Sequence, residues 1–153
     1  MKHYKDEKNN IFAYESDGSQ DAFIKEGLVP ISDEDLAAMI APTTEQLLSQ
    51  LTAARKEQEQ QGVVINGIRY AGDPGNRQTL QEAITYIEDA GLAEFPSWKD
   101  SDGVFHQNNP LADVKDAARA IGARRSQLIA AEGEYAAQII AGTLTDLTEV
   151  VWP

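Results

Sequence analysis

The sequence predicts an α+β protein: a small N-terminal β-hairpin region, a linking helix, and a C-terminal domain of two hairpins with two helices, one about 30 residues long. Three observations predict it. Asn66-Gly67 lies between two β-forming triplets, Val63-Val64-Ile65 and Ile68-Arg69-Tyr70. Apolar residues recur at helical spacing from Leu111 to about Ala141, between Pro110 and Gly142. Polar turn clusters break the remainder into short segments.

At the N-terminus, Tyr4 precedes a polar turn, Asp6–Asn10, and Ile11-Phe12-Ala13-Tyr14 follows as the second strand of a pair. Alternation puts Ile11 and Ala13 on one face, Phe12 and Tyr14 on the other. Ser16-Asp17-Gly18-Ser19 reads as a turn, and Leu28-Val29-Pro30-Ile31 as a short extended piece. Ser32 before Asp33-Glu34-Asp35 starts a brief helix ending near Ile40, because a side-chain acceptor and three acids complement its free N–H groups. Ala41-Pro42 interrupts it.

Thr43 or Thr44 opens another helix, with Leu47, Leu48, Leu51 and Ala54 as its apolar stripe. Arg55–Gln61 is wholly polar, so it is read as a helix standing in solvent or a flexible link closed by Gly62. The expected organisation is therefore residues 1–42 as an N-terminal region, 43–62 as a helical linker and 63–153 as the C-terminal domain, with the main boundary near Gly62.

Asn66-Gly67 signals a hairpin, since both central residues of a tight two-residue turn need positive φ. Asp73-Pro74 gives a cap and first-position proline for a helix to about Ala90, with Leu80, Ala83, Ile84 and Ile87 inward and Gly91 as its stop. Ser97-Trp98-Lys99 and Val104-Phe105-His106 enclose Asp100–Gly103 as a second hairpin. Asn108 or Asn109, then Pro110, launches the long helix, roughly 45 Å at the standard rise. Leu144 to Trp152 reads as a final extended segment. In the long helix, Val114, Ile121, Leu128 and Tyr135 recur every seven residues, accompanied by Leu111, Ala118, Arg125, Glu132 and Ile139. This heptad-like frame predicts either packing on the chain's own hairpins or self-association or docking along an elongated partner, with charged Arg125 and Glu132 suiting a mixed interface.

Charge and composition narrow the function. The chain has 25 acidic and 13 basic residues, a formal net charge of −12. Residues 1–62 and 63–153 each net −6, so no basic domain is present for nucleic-acid binding. No apolar run reaches the roughly 20 residues of a membrane span, and polar Met1–Asn10 does not predict a secretory leader. Zero cysteines exclude disulfides, thiolate metal sites and cysteine nucleophiles.

Catalytic constellations are likewise not legible. His3 and His106 are the only imidazoles, and no G-x-S-x-G elbow is present. Gly72–Arg77 runs from strand to helix, where an anion could sit, but it lacks the lysine and Ser/Thr of a phosphate loop; helix capping explains it. Asp100-Ser101-Asp102-Gly103 has the look of a calcium loop, yet alignment on Gly103 puts Trp98 and Asn109 at ligand positions, so it reads as a turn. The expectation is no enzyme, no cofactor and no metal.

Two stretches resemble a known family. Residues 4–31, centred on IFAYESDGSQDAFIKEGLVPIS, resemble the opening of tail fibre assembly proteins of tailed bacteriophages, through the Phe-Ala-Tyr strand, the Asp-Gly-Ser-Gln-Asp turn and Leu28-Val29-Pro30-Ile31. Val63 to Trp152 is similar to a phage-tail domain of uncharacterised function often found behind such openings, through NGIRYAGD, the turn at Trp98–Gly103, the long helix and the closing Val-Trp. The resemblance implies a chaperone that binds a tail fibre protein near its C-terminal end and promotes its folding and trimerisation. It further implies a location in the bacterial host cytoplasm during phage assembly, with some relatives retained on the mature fibre. The alternative is a structural virion subunit of the fibre tip or baseplate; a third reading is a cell-wall sugar hydrolase. Expected partner contacts are Phe12 and Tyr14, then Trp98 and Phe105, with Ile121, Arg125, Leu128 and Glu132 along the long helix, which could also join two copies of the chain. For the aromatics, core packing is the competing reading.

Overall fold

Asp6 reverses the chain after its first strand by accepting backbone N–H bonds from Lys8 and Asn10, both at 2.9 Å. Strands β1 (Lys2–Lys5) and β2 (Ile11–Tyr14) therefore pair antiparallel, Tyr4 opposite Phe12, and β3 (Val29–Ile31) pairs on the other side of β1 with Pro30 opposite Tyr4. The result is a three-stranded sheet of order β2-β1-β3. Helix α1 (Asp33–Ile40) follows, with the Ser32 hydroxyl accepting the Asp35 N–H at 3.0 Å. This computed structural model describes residues 1–153 and divides into two units, Met1–Pro42 and Thr43–Pro153. None of the first unit's residues is fully buried.

The boundary differs from the expected one near Gly62. Helix α2 (Thr44–Gln61) starts with a reciprocal capping box between Thr43 and Gln46 and continues through the polar run without a break. It is no linker: it packs antiparallel along α4 (Leu111–Ile140) within the second unit. Two residues of the run, Arg55 and Glu59, are held there by charged side chains on α4 and on the helix that starts at Pro74, while Lys56, Glu57, Gln60 and Gln61 stay exposed.

Hairpin β4 (Val63–Ile65)–β5 (Ile68–Tyr70) turns on Asn66 and Gly67, at φ 49° and 81°. Gly62, at φ 67°, lies so close to the Tyr70 carbonyl that a Cβ would meet its oxygen at 1.8 Å. Helix α3 (Pro74–Asp89) is capped by Asp73, and β6 (Glu94–Lys99) pairs with β7 (Phe105–Pro110). The expectation that Asn108 or Asn109 caps the long helix is not met: β7 runs on to Pro110, and α4 starts with no side-chain cap. Asn109 is instead buried opposite Phe95, its amide donating to the Tyr70 hydroxyl at 3.0 Å. The Leu111 N–H, otherwise unpaired at the helix start, reaches the Ala93 carbonyl at 2.9 Å.

Helix α4 spans two apolar clusters. Val114, Ala117 and Ile121 join Tyr70, Leu80, Ile84, Ile87 and Phe95 in the first. Ile139 joins Leu47, Leu51 and Leu144 in the second. The expected final strand is absent. From Leu144 onward the chain is irregular, because Leu144, Leu147, Val150 and Trp152 serve as cover for the second cluster, and Val151 exchanges backbone bonds with the Tyr135 hydroxyl at 3.1 and 3.2 Å. No helix is long and apolar enough to cross a membrane.

Candidate functional site

Each unit carries a surface that could serve recognition. In the first, alternation along β2 puts Phe12 and Tyr14 on one face, half-buried, and leaves Ile11 and Ala13 exposed. Tyr4 and Tyr14 meet edge to face at 5.6 Å between centroids, and Lys25 Nζ lies 5.7 Å from the Phe12 ring centre. Phe12 also lines an open groove with Asp6, Lys8, Asn10, Lys25 and Leu28. Both outer strands of the sheet have a free edge. They are not equivalent, since Pro30 removes one backbone donor from β3 whereas β2 keeps all of its own.

In the second unit, the two aromatics singled out by sequence separate. Trp98 packs on Phe95 at 4.9 Å and Tyr70 at 5.7 Å, on the inner side of its hairpin. Phe105 is 65% exposed, with the Lys99 ammonium 5.6 Å from its ring centre, and Val104 beside it is exposed too. The turn between them is held by Asp100, whose carboxylate accepts from Asp102 N at 2.9 Å and Val104 N at 2.8 Å and lies 2.8 Å from His106 Nε2. The bond with His106 is the chief cause holding the Asp100 carboxyl below its usual range. Arg69 clamps the same turn through Asp102, at 2.8 and 2.7 Å, and through the Ser101 carbonyl at 3.1 Å. A cavity of about 190 Å³ lies beside it, lined by Arg69, Thr79, Ser97, Trp98, Lys99 and Ser101, among others.

The long-helix contacts expected from the heptad frame need correcting. Ile121 and Leu128 are buried, Leu128 completely, so neither can meet a partner while the unit is folded. The seam is filled from inside the chain, by the hairpins and α3 along one half and by α2 and the C-terminal segment along the other. That removes the heptad stripe as a surface for self-association.

Arg125 and Glu132 belong to an ionic network that sequence reasoning missed. At its centre is Glu59 of α2, with its side chain only 6% exposed. Arg55, one turn earlier, pairs with it, as do Arg77 of α3 at 3.3 Å and Arg125 of α4 at 3.4 Å. Arg55 Nε also lies 2.6 Å from Glu132, which accepts the Thr52 hydroxyl at 2.6 Å. Arg77 further donates to the Gly72 carbonyl at 2.7 Å. The signal in the sequence was the pair of charged seam positions on α4 matched by the i,i+4 pair Arg55–Glu59 on α2. No group of three or more His, Cys, Asp or Glu side chains is arranged to hold a metal ion.

A family described only as a domain of unknown function, DUF4376, matches residues 42–151. The chain belongs to this family. The DUF4376 match begins at Pro42, where the structure places its boundary, so α2 is part of the DUF4376 domain and the first unit stands outside it. No curated protein and no solved structure matches the chain.

Proposed function

We propose that the chain is a phage tail fibre assembly chaperone, which binds the fibre protein near its C-terminal end and promotes its folding and trimerisation in the host cytoplasm. The observation that carries this reading is the first unit. It is a three-stranded sheet and a short helix with no fully buried residue, an aromatic face, and an edge strand, β2, with its backbone donors intact. At this size, without cysteines, such a unit gains little from its own core and much from an added strand. Fibre trimers assemble by long-range β pairing between chains, a slow process that leaves strand edges exposed. A helper that lends an edge protects them, and it needs neither cofactor nor nucleotide. Phe12 and Tyr14 are the contacts of this edge; Phe105 and Val104 offer a second apolar point on the other unit.

Co-expression with the fibre protein tests the reading, with trimer measured by size-exclusion chromatography and light scattering. Soluble trimer that appears only when the chain is present supports it. Equal trimerisation without the chain, together with no co-elution, would falsify it. A structural virion subunit is the alternative, and it would be present at fixed stoichiometry in purified particles.

A further inference from the structure

The ionic network has an open side. Arg55, Lys56, Arg77 and Arg125 line a cavity of about 330 Å³ together with Glu59, Gln60, Asp73 and Pro74. Four cationic side chains thus face one concavity against two carboxylates, in a chain whose net charge is −12. The two carboxylates are already committed: Glu59 is buried among the arginines, and Asp73 caps α3. The cations are not all so committed. Arg125 pairs with Glu59 through Nε alone, at 3.4 Å, its side chain is 45% exposed, and its terminal amino groups have no hydrogen-bond partner. Lys56 is exposed and has no ion-pair partner. Arg55 is the exception, shared between Glu59 and Glu132.

Buried Glu59 gathers guanidinium groups from three helices around one planar carboxylate, so the ordering that binding an anion normally costs is already met by folding at Arg77, while Arg125 and Lys56 keep free donors. We propose that this cleft binds a carboxylate presented by an acidic protein segment, held by Arg125 and Lys56 with Arg77 behind them. A planar, singly charged group matches the fork of Arg125. A doubly charged phosphate would face Glu59 and Asp73 with a greater repulsion. The proposal does not rest on the fibre reading and concerns a different unit from the β2 edge.

The test uses the full chain, with arginine Nε–H resonances followed by NMR during titration at constant ionic strength with an acetylated tetraglutamate peptide or, separately, inorganic phosphate. Saturable shifts at Arg125 and Arg77 with the peptide, weakened about tenfold by Arg125→Gln and by Lys56→Gln, are expected. Lys56→Gln keeps the test valid if Arg125→Gln perturbs the fold, since Lys56 supports nothing else. The proposal is overturned by the lack of saturable shifts with the peptide, by shifts that survive Lys56→Gln unchanged in strength, or by phosphate binding more tightly than the peptide.

Discussion

Glu59 decides how a wholly polar stretch becomes part of a folded unit. Removing Glu59 takes the shared carboxylate from three arginines and leaves the largely buried Arg55 with Glu132 as its one counter-ion. Glu59→Ala is therefore expected to cost about 3 kcal/mol in urea unfolding. Arg125→Gln, at a half-exposed position, should cost under about 1 kcal/mol. Equal costs would show that Glu59 is not the hub. Asp100 gives a pH prediction. Its carboxyl is held below the 3.8 of a free aspartate, first by His106 and further by the N–H groups of Val104 and Asp102. A depressed carboxyl contributes stability above its unfolded value, and that contribution is lost as pH falls through the folded value. The deficit of Asp100→Asn relative to the unsubstituted chain should thus be full near neutral pH and shrink on acidification below 3.8. Denaturation curves across that range check it; a deficit that is constant with pH contradicts it. Asp6, Asp17, Asp73 and Asp146 are depressed in the same direction by hydrogen bonds in their own turns and caps, so acid should loosen the turns together. Asp6, Asp17, Asp73 and Asp100 were legible from sequence because each lies in a polar turn cluster or just before a proline at a helix start; Asp146 was not, since its segment reads as extended. Glu59 was not, because its partners lie on α3 and α4, and a buried charge looks like a solvated one until they are in place.

The elements with local signatures formed as their residues foretell. The Asn66-Gly67 hairpin, the Ser32 and Asp73 caps and the stop at Gly91 rest on interactions within a few residues. Where an element depends on distant neighbours, the reading departed from the structure: α2 packs on α4 instead of linking two regions, β7 extends to Pro110 so that Asn109 can meet Tyr70, and the last segment is cover for α2 and α4 instead of a strand. Two glycines separate local from long-range demands. Gly67 has a positive φ but open space around it, so Gly67→Ala should cost about 1 kcal/mol for the backbone alone. Gly62 adds a collision with the Tyr70 carbonyl to its positive φ, and nothing flexible is available to yield. Gly62→Ala should therefore cost at least about 3 kcal/mol, read from thermal or urea unfolding. Similar costs for the two would mean that α2 and β5 can separate at little expense.

At the scale of the molecule, the two units differ in kind. Residues 43–153 contain two apolar clusters and the Glu59 network, enough for a self-sufficient fold, whereas residues 1–42 contain no buried side chain. A fragment covering 43–153 is expected to keep cooperative unfolding and its helical circular dichroism, while 1–42 alone should show no cooperative transition. This imbalance is what the fibre chaperone proposal uses: an incomplete unit waiting for a strand, borne by a complete one. Hydrogen exchange of the full chain, alone and with the C-terminal segment of the fibre protein, tests that claim most directly. Amides of β1, β2 and β3 should exchange rapidly in the free chain while those of α2 and α4 are protected, and β2 should gain protection when the fibre segment binds. If the sheet is as protected as α4 in the free chain, or if bound fibre leaves β2 unchanged, the first unit is not the fibre-binding edge.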